Sequence, residues 1–457
     1  MKQEDKYKVY SLFLNLMIII IISILLMYDF IITYENIRCI FSYIMIIIYE
    51  IGGFFMKYMQ LKKLFHINEN ECNQVYLKRF NGEFTNRLNI MLKNGYECFY
   101  LLNNEMLSLI DQIYSINTWL EKIMISDLLP HIAKKYLIMS SMVEEIKSSN
   151  QLEGIYSTRK ELKDIMVHHT PKKYKRFYGM VNKYEKLSSE SFALLNSVSD
   201  IRRLYDEILL KDILNEDEKD MPDGVIFRKG PVEIQSSSKI IHKGIEGEDR
   251  IIDMLEKALR ILNDESINFL IRIAIFHYLF EYLHPFYNGN GRMGRFLASG
   301  YLSKNVNILC ALQFSIACIH NNKQYYDAFT MTNDIRNKGD LTVFIINFLE
   351  IYLSGLQELK SRIENLVEIY NYTLQKINIY VDSKYMEFVS LLLQATLFDM
   401  DGLEMSELVK LTQYTQQTIR SIIKNINKEY AIINIDNQHK PYKYTINLDV
   451  ISSISDR

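Results

Sequence analysis

The chain has 457 residues, and 53 Lys and Arg nearly balance 55 Asp and Glu, so the formal net charge of −2 excludes attraction to nucleic acid through an overall basic field. Hydrophobic residues make up 48% of the chain, which excludes wholesale disorder and is enough for two or three folded domains. With only 6 Pro and 17 Gly, long helices are favoured over a turn-rich all-β fold.

The chain begins with two apolar runs. Residues 9–28 carry no charge and are long enough to span a bilayer, and a second run covers about residues 39–56. Lysines precede the first run and follow the second, so the positive-inside rule predicts a membrane hairpin through residues 9–56 with both ends cytoplasmic. The alternative is a translation start at Met56 or Met59, with residues 1–58 a mistranslated upstream region and the protein cytoplasmic.

The next part of the chain is predicted to be helical. Apolar residues at three-to-four spacing indicate helices over residues 59–200, with a helix boundary at Pro130. Residues 212–224 are rich in acidic residues and predict a linker or loop. The segment VIFRKGPVEIQSSSKIIHKG has β-branched pairs around Gly230 and Pro231 and predicts a short hairpin there. Helices are predicted again from residue 248 to about residue 380.

The C-terminal part has a different pattern. Residues 384–450 show the order helix–helix–helix–hairpin, which is typical of a winged helix. Thr415 or Thr418 is suited to cap the third helix, and Arg420 and Lys424 on its exposed face are candidate DNA contacts. Further polar residues of this helix and of the predicted wing are Gln416, Gln417, His439, Lys440 and Lys443. The segment is only mildly basic, so DNA binding and a protein–protein role both stay open.

The chain's five cysteines show no CxxC spacing, so they predict reduced structural thiols rather than a disulfide framework or a zinc site. They are Cys39, Cys72, Cys98, Cys310 and Cys318.

The stretch HPFYNGNGRMGR, which begins at His284, concentrates groups suited to phosphate chemistry. A helix must end near Pro285 and another begins around Arg292, so the backbone N–H groups between them predict a phosphate-binding nest. Arg292 and Arg295 lie three residues apart on one helix face and can hold a polyphosphate. A neutral His284 can take a proton from an attacking hydroxyl. The stretch therefore predicts phosphoryl or nucleotidyl transfer.

This stretch resembles the Fic family signature, HPFx(D/E)GNGRxxR, at every defined position except residue 288. SSNQLEG resembles the family's inhibitory motif, (S/T)xxxE(G/N), with Ser149, Glu153 and Gly154 matching, and GPVEIQ is similar to its flap. The resemblance covers about residues 60–350. It implies an all-helical Fic core with a short β-hairpin flap. Together with the small C-terminal α+β winged helix-turn-helix domain that the pattern of residues 384–450 predicts, the expected fold is mainly α.

Four regions follow from this interpretation. Residues 1–58 are the hydrophobic segment, and residues 59–200 are the helical Fic N-terminal region with the inhibitory motif. Residues 201–380 are the Fic catalytic domain, and residues 381–457 are the winged helix-turn-helix domain.

Fic proteins mostly transfer AMP from ATP, with Mg²⁺ or Mn²⁺, to a Ser, Thr or Tyr hydroxyl of a target protein. The resemblance makes His284 the general base and assigns the β- and γ-phosphates to Arg292 and Arg295. A Lys in place of Gly291 marks phosphate-transferring relatives, so this glycine favours AMP transfer. The implied contacts to the α- and β-phosphates are the Asn290 side chain and the backbone of Gly289, Asn290 and Gly291.

Asn288 departs from the signature, because the family usually has Asp or Glu there as a Mg²⁺ ligand. An amide oxygen can bind a hard cation but brings no charge, so weaker metal binding is expected. The resemblance also implies that the flap, Val232, Glu233, Ile234 and Gln235, pairs with the target segment as an added strand. It implies a nucleotide pocket lined by Tyr325, Tyr326 and Asn333. For the two tyrosines, helix packing is the alternative.

Glu153 is the regulatory residue that the resemblance implies. It would pair with Arg295 in cis, remove that guanidinium from the γ-phosphate and leave ATP in a non-productive pose. The alternative is an ordinary surface charge at a helix end. His277 lies in an apolar helical run and predicts a core histidine rather than a ligand.

The sequence thus predicts a protein adenylyltransferase, autoinhibited in cis by Glu153, that acts on an unidentified target protein. Two alternatives stay open. One is a nucleotide-binding transcriptional regulator or adaptor with a weak or inactive Fic core, which Asn288 makes plausible. The other is a hydrolase that uses Glu153 to remove AMP from targets.

Overall fold

A computed structural model describes residues 58–167, 175–189, 192–236, 239–398, 402–437 and 441–453. The membrane hairpin predicted for residues 9–56 lies outside these ranges, as do His439 and Lys440 of the predicted wing. Within the described ranges, no helix is both long enough and apolar enough to cross a membrane.

The N-terminal part is helical apart from one two-stranded sheet. Its elements are α1 (Leu61–Ile67), α2 (Glu69–Phe80), β1 (Thr85–Met91), β2 (Glu97–Leu101), α3 (Asn104–Ile125), α4 (His131–Leu152), α5 (Arg159–Val167) and α6 (Tyr178–Ser189). The boundary predicted at Pro130 is confirmed, since α4 begins at the next residue.

The prediction of helix throughout residues 59–200 was wrong at the antiparallel β1–β2 hairpin. Leu88, Ile90 and Leu92 are buried, whereas Asn89 and Met91 between them are exposed. This period of two is the strand pattern, and the count of apolar residues at three-to-four spacing overlooked it.

The central part carries the helices that surround the candidate site. Its elements are α7 (Val198–Tyr205), a π-helical turn (Asp206–Leu210), α8 (Lys211–Glu216), a 3₁₀ turn (Glu218–Asp220), β3 (Glu233–Ser236), β4 (Lys239–Lys243), α9 (Glu248–Leu262), α10 (Phe269–Leu283), α11 (Asn290–Ser303), α12 (Ile308–Ala311), α13 (Phe314–His320), α14 (Asn322–Asn333), a second 3₁₀ turn (Ile335–Asn337) and α15 (Thr342–Tyr380). The acidic segment predicted as a linker thus contains α8 and a 3₁₀ turn. The prediction that helices continue to about residue 380 is confirmed.

The predicted hairpin exists, but its turn was predicted at the wrong place. β3 and β4 pair antiparallel, so the chain reverses after Ser236 and not at Gly230 and Pro231. The preceding segment cannot join the ladder because its amides are already used. The N–H groups of Val225, Ile226 and Phe227 donate to the Glu248 carboxylate at 3.0, 2.5 and 2.9 Å. A carboxylate at the first turn of α9 therefore fixes residues 225–227 outside the sheet.

The C-terminal part has the helix–helix–helix–hairpin order predicted from the sequence. Its elements are a 3₁₀ turn (Ser383–Tyr385), α16 (Met386–Phe398), β5 (Leu403–Glu404), α17 (Met405–Thr412), α18 (Gln416–Glu429), β6 (Ile433–Asp436), β7 (Lys443–Ile446) and α19 (Leu448–Ser453). The three strands form one antiparallel sheet in the order β5-β7-β6.

The core is built around α10 and α11. α10 is apolar on nearly all sides, as the sequence FLIRIAIFHYLFEYL indicates, and a helix of this kind must be surrounded by other elements. α9, α11 and α15 pack against it, and α4 packs against α11 and α13. α16 of the C-terminal part packs against α4 and α15. The four cysteines that the structure describes are buried free thiols, as predicted, and Cys39 lies outside the described residues.

Candidate active site

The loop between α10 and α11 holds most of the predicted chemistry. His284 ends α10 in a left-handed conformation with φ 53°, and Gly289 precedes α11 with φ 79°. Phe286 is buried and stacks on Tyr205, with ring centroids 3.6 Å apart. The Asn290 side chain bonds to Phe286 twice, since Oδ1 accepts from its N–H at 2.9 Å and Nδ2 donates to its carbonyl at 2.8 Å. These contacts hold the loop in one conformation. Both polar atoms of the Asn290 amide are used for this purpose.

Arg228 is a positioning residue that the sequence analysis missed. Its buried guanidinium donates to four backbone carbonyls, at 2.7 Å to His284, 3.1 Å to Leu283, 2.9 Å to Ile245 and 2.5 Å to Gly230. Burial lowers its pKa. One side chain thus ties the end of α10 to the segments on both sides of the β3–β4 hairpin. The available signal was an Arg directly after the apolar run VIF and close before the predicted flap.

His284 is oriented by the last turn of α10. Its Nδ1 lies 3.3 Å from the carbonyl oxygen of Glu281 and 3.8 Å from Oε2 of the same residue. When Nδ1 carries the proton, it donates to that carbonyl and Nε2 is the basic nitrogen, which suits a general base. Burial raises the pKa of Glu281 to about 8, while the charge of Arg295 acts in the opposite direction.

Arg292 and Arg295 are both buried in α11 and differ in how they are paired. Nε and Nη2 of Arg292 are buried and have no hydrogen-bond partner among the described residues. Burial lowers the pKa of Arg292. The first N–H groups of a helix also lack intrahelical acceptors. Within the part of the chain that the structure describes, the start of α11 therefore brings several donors together in one place. This arrangement is suited to an anion.

Arg295 is paired with the helix that carries the SSNQLEG motif. Its Nη2 donates to Oε1 of Glu153 at 2.9 Å and to the carbonyl of Ser149 at 2.8 Å, and its Nε donates to Oγ of Ser149 at 3.1 Å. Burial lowers the pKa of this guanidinium, but the charge of Glu153 and smaller contributions from neighbouring groups together outweigh burial, so the pKa is raised overall. The side chain of Glu153 remains 30% exposed, so the pair lies at the edge of the site.

Two rows of residues at four-residue spacing hold α4 against α11. The row on α4 is Glu145, Ser149 and the end residue Glu153. Along α11, Glu145 faces Ser299, Ser149 faces Arg295, and Glu153 faces Gly291. Oγ of Ser299 donates to Glu145 at 2.9 Å. At the other end, a methyl group on Gly291 would overlap Oε1 of Glu153, so a glycine is required for this approach. Residues four apart share a helix face, and matched rows of this kind align two antiparallel helices.

α4 ends where the motif requires it to end. Gly154 has φ 71°, and the N–H of Ile155 donates to the carbonyl of Asn150 at 2.9 Å. This is the Schellman arrangement, which favours glycine after the last helical residue. It places Glu153 at the helix end, facing Arg295. Glu145, which also accepts from the N–H groups of Ser315 and Ile316, was missed by the sequence analysis although it lies four residues before Ser149.

Asn288 stands where the Fic signature has a carboxylate, and the carboxylate of Asp220 lies beside it. Nδ2 of Asn288 donates to Oδ2 of Asp220 at 2.9 Å. Oxygen atoms of one carboxylate and one amide fit Mg²⁺ or Mn²⁺ when phosphates and water supply the other ligands. Across the residues that the structure describes, no group of three or more His, Cys, Asp or Glu is arranged to hold a metal ion.

The flap residues lie beside His284. Glu233, Ile234 and Gln235 belong to β3, and the carbonyl of Val232 accepts from the N–H of Gly244 at 3.0 Å. A methyl group on Gly244 would lie 3.2 Å from Cβ of His284, so the base of the hairpin packs on the histidine. Within the described residues, β3 pairs with β4 alone. Its second edge is thus available to another strand.

The three predicted pocket residues lie along α14 in different environments. Tyr325 is buried, and its hydroxyl lies 2.9 Å from Nε2 of His277. Tyr326 donates to the carbonyl of Leu152 at 3.0 Å, next to Glu153. Asn333 accepts from the hydroxyl of Tyr278 at 2.9 Å, about 12 Å along the helix from Tyr325. Tyr326 is therefore at the Glu153–Arg295 pair, whereas Tyr325 packs in the core.

His277 lies inside the core, as its apolar surroundings predicted. Burial and the charge of Arg295 lower its pKa to about 3, so it is neutral at physiological pH.

The C-terminal candidate residues lie on an exposed face of α18. Thr415 caps this helix by accepting from the N–H of Thr418 at 3.2 Å. The predicted contact residues Gln416, Gln417, Arg420 and Lys424 are all exposed. Lys443 differs, because its ammonium pairs with Glu404 at 3.0 Å.

His284, the N-terminus of α11 and the Glu153–Arg295 pair together form a candidate anion-binding site on a mainly helical fold. Residues 195–302 match the model of the Fic/DOC family. Over 43 residues it is 46% identical to a probable protein adenylyltransferase of Aquifex aeolicus (strain VF5). That match spans 9% of this chain and 13% of the relative.

Two solved structures of Fic proteins are similar to the chain. A Fic family protein from Desulfovibrio desulfuricans G20 has 17% identity and a TM-score of 0.47, covering 78% of this chain and 99% of that one. Fic-1 from C. elegans, residues 134–508, has 18% identity and a TM-score of 0.39, covering 57% of this chain and 72% of that one.

Proposed function

We propose that the chain is a protein adenylyltransferase that transfers AMP from ATP to a Ser, Thr or Tyr hydroxyl of a target protein, and that Glu153 inhibits it in cis. The observation that carries this proposal is the state of the two buried arginines. Among the described residues, Nε and Nη2 of Arg292 have no hydrogen-bond partner, whereas Arg295 is held by Glu153 and Ser149. The site is thus suited to a triphosphate, and one of its two guanidiniums is withheld from that ligand.

The phosphates of ATP would lie against the N-terminus of α11, where backbone N–H groups and Arg292 stabilise their charge. When bound, Mg²⁺ or Mn²⁺ would neutralise part of the phosphate charge, and Asn288 would contribute a ligand to it. His284 takes the proton of the target hydroxyl, whose oxygen forms a bond to the α-phosphorus. The bond from the α-phosphorus to the bridging oxygen breaks, and pyrophosphate leaves.

The target segment would be held by β3. Strand addition to the edge of β3 that pairs with no described strand would supply main-chain hydrogen bonds and fix the hydroxyl near His284. The packing of Gly244 against His284 supports this, because it couples the position of the hairpin to that of the base.

Inhibition would follow from the position of Glu153. Its carboxylate occupies the space above Gly291 and neutralises Arg295, so it repels the phosphates and removes one of their partners. Replacing Glu153 with Gly removes the charge and the side chain while keeping a residue that tolerates a helix end.

The proposed reaction is tested with ATP labelled on either the α- or the γ-phosphate. The 457-residue chain carrying Glu153→Gly is expected to incorporate α-label into protein and no γ-label, because AMP and not phosphate is transferred. Adding His284→Ala to Glu153→Gly should abolish the incorporation. Incorporation of γ-label would indicate phosphate transfer instead.

The same assay separates the two alternatives. ATP binding without any incorporation, with either metal, would favour the nucleotide-binding regulator. Release of AMP from a pre-modified target by the wild type, lost in Glu153→Gly, would favour the hydrolase.

A further inference from the structure

The 3₁₀ turn Glu218–Asp220 reaches the loop that precedes α11. The carboxylate of Asp220 accepts from Nδ2 of Asn288 at 2.9 Å, and both side chains are half-buried. Residue 288 is where the Fic signature has a carboxylate and this chain has an amide. A carboxylate is therefore present beside residue 288, supplied by a segment about seventy residues earlier in the chain.

An independent observation on the other side of the loop points to a phosphate-bearing ligand. Arg292 is only 1% exposed, and its Nε and Nη2 have no partner among the described residues. A methyl group on Gly289 would lie 3.6 Å from that Nη2, so the guanidinium is directed at the loop. Buried donors without acceptors are costly unless a ligand satisfies them, and phosphate is the anion that a guanidinium and a helix N-terminus bind together.

Tyr205 lies near both the Asp220–Asn288 pair and Arg292. Its hydroxyl donates to the carbonyl of Asn288 at 3.1 Å. Burial raises the pKa of this hydroxyl, and the charges of Arg292 and Asp220 act on it in opposite directions. Both charged groups therefore lie near the same hydroxyl, with the loop between them.

We propose that Asp220 and Asn288 together bind the divalent cation that accompanies the nucleoside triphosphate, so that Asp220 replaces the carboxylate missing at residue 288. This inference rests on the proposed nucleotide site. Mg²⁺ and Mn²⁺ take oxygen ligands, and protein sites for Mg²⁺ commonly supply one or two carboxylates while phosphates and water complete the set. On binding, the cation replaces the hydrogen bond between the two side chains and takes an oxygen from each.

The neighbouring acidic residues are less suited to this role. The Asp217 carboxylate accepts from the N–H of Lys219 at 2.9 Å and so caps the 3₁₀ turn. The Glu218 side chain is exposed. Glu218→Gln is therefore a matched control, because it removes one negative charge from the same turn without touching Asn288.

The test measures ATP affinity by calorimetry, with Mn²⁺ and with EDTA, on the 457-residue chain carrying Glu153→Gly so that Arg295 is released. Asp220→Asn is expected to lose most of the affinity that Mn²⁺ adds, because it removes the carboxylate ligand. In EDTA the same variant should bind ATP as tightly as its parent, or more tightly, since a negative charge is gone. Glu218→Gln should keep the full Mn²⁺ effect. Adding Asn288→Asp to Asp220→Asn should restore the affinity that Mn²⁺ adds.

An unchanged Mn²⁺ effect in Asp220→Asn would overturn the inference, as would an equal loss in Glu218→Gln, which would indicate general electrostatics. The outcome is separable from that of the proposed function. If Asp220 governs the Mn²⁺ effect but no variant transfers AMP, the cation site stands and the transferase proposal fails. If AMP is transferred and Asp220 has no influence on Mn²⁺, the cation site alone fails. Absence of ATP binding in every variant contradicts both.

Discussion

The carboxyl group of Glu281 lies one helical turn before His284 and close to Arg295. Because burial raises its folded-state pKa to about 8 from an ordinary value of 4.5, the folded chain keeps a proton that the unfolded chain releases. The free energy of unfolding should therefore fall as pH rises between about 4.5 and about 8, by at most about 1.4 kcal/mol per pH unit, and this dependence ends above the folded pKa.

Glu281→Gln removes this dependence, since the amide stays neutral. Thermal unfolding at pH 5, 6, 7 and 8 should show the melting temperature of Glu281→Gln gaining on that of the wild type as pH rises. A difference that is constant over this range would mean that Glu281 is ionised in the folded chain.

Arg228 gives a prediction about stability. Arg228→Met would leave up to four buried carbonyls without their donor, at a cost of about 1–3 kcal/mol for each that finds no other partner. We expect a clear fall in melting temperature by calorimetry. Lys229→Met is the control, because its side chain is exposed and adjacent. Equal melting temperatures for the two variants would show that water or neighbouring groups replace the guanidinium.

Residue types at the site could be read from the sequence, but their pairings could be read only in part. The pairing of Glu153 with Arg295 was expected from the motif, and the ion pair is present. The contact of Asp220 with Asn288 was not expected, because the two residues are far apart in the chain and no periodic pattern connects them. Arg228 and Glu145 were overlooked for the same reason: a buried charged residue is recognisable only once its acceptors or donors are known.

At the scale of elements, α4 is held in place by polar contacts as well as by its apolar side. Glu145 is buried and accepts from Ser299 and from the first N–H groups of α13. Burial raises its pKa, so the hydrogen bonds that it accepts are needed to keep it compatible with the core. The far end of the same row holds Glu153 over Gly291.

Glu145→Ala should therefore loosen α4 and weaken inhibition without touching Glu153. We expect a lower melting temperature together with measurable incorporation of α-label, at a level below that of Glu153→Gly. Glu144→Ala is the control, because its carboxylate pairs with Arg159 instead of contacting α11. A lower melting temperature without any incorporation would mean that α4 stays docked when this anchor is lost.

Element positions were predictable where a strong local rule applied. Pro130 and the HPF stretch end or begin helices for backbone reasons, and the structure agrees within about two residues. The turn of the flap was misplaced because Gly230 and Pro231 are the usual turn residues, whereas the real determinant is Glu248 binding the amides of residues 225–227. That contact is tertiary, and local propensity cannot contain it.

At the scale of the molecule, the C-terminal part is packed on the helix that carries Glu153, since α16 contacts α4. Its exposed helix α18 presents Arg420 and Lys424 one turn apart. We propose that this face contacts DNA phosphates. Each of Arg420→Ala and Lys424→Ala should weaken DNA binding in a filter or anisotropy assay and reduce the slope of log affinity against log salt by about 1.

Lys410→Ala is the control for this experiment, because Lys410 is exposed on the neighbouring helix α17. Unchanged binding and unchanged salt slope in both α18 variants would favour a protein partner for the C-terminal part.

The measurement that tests the central claim most directly is the initial rate of AMP incorporation, followed by intact mass, in the wild type, Glu153→Gly and Glu144→Gly under identical conditions. The account predicts a fast increase in mass by one or more AMP groups in Glu153→Gly only. Equal rates in the wild type and in Glu153→Gly would contradict it, because the ion pair with Arg295 would then have no effect on the reaction.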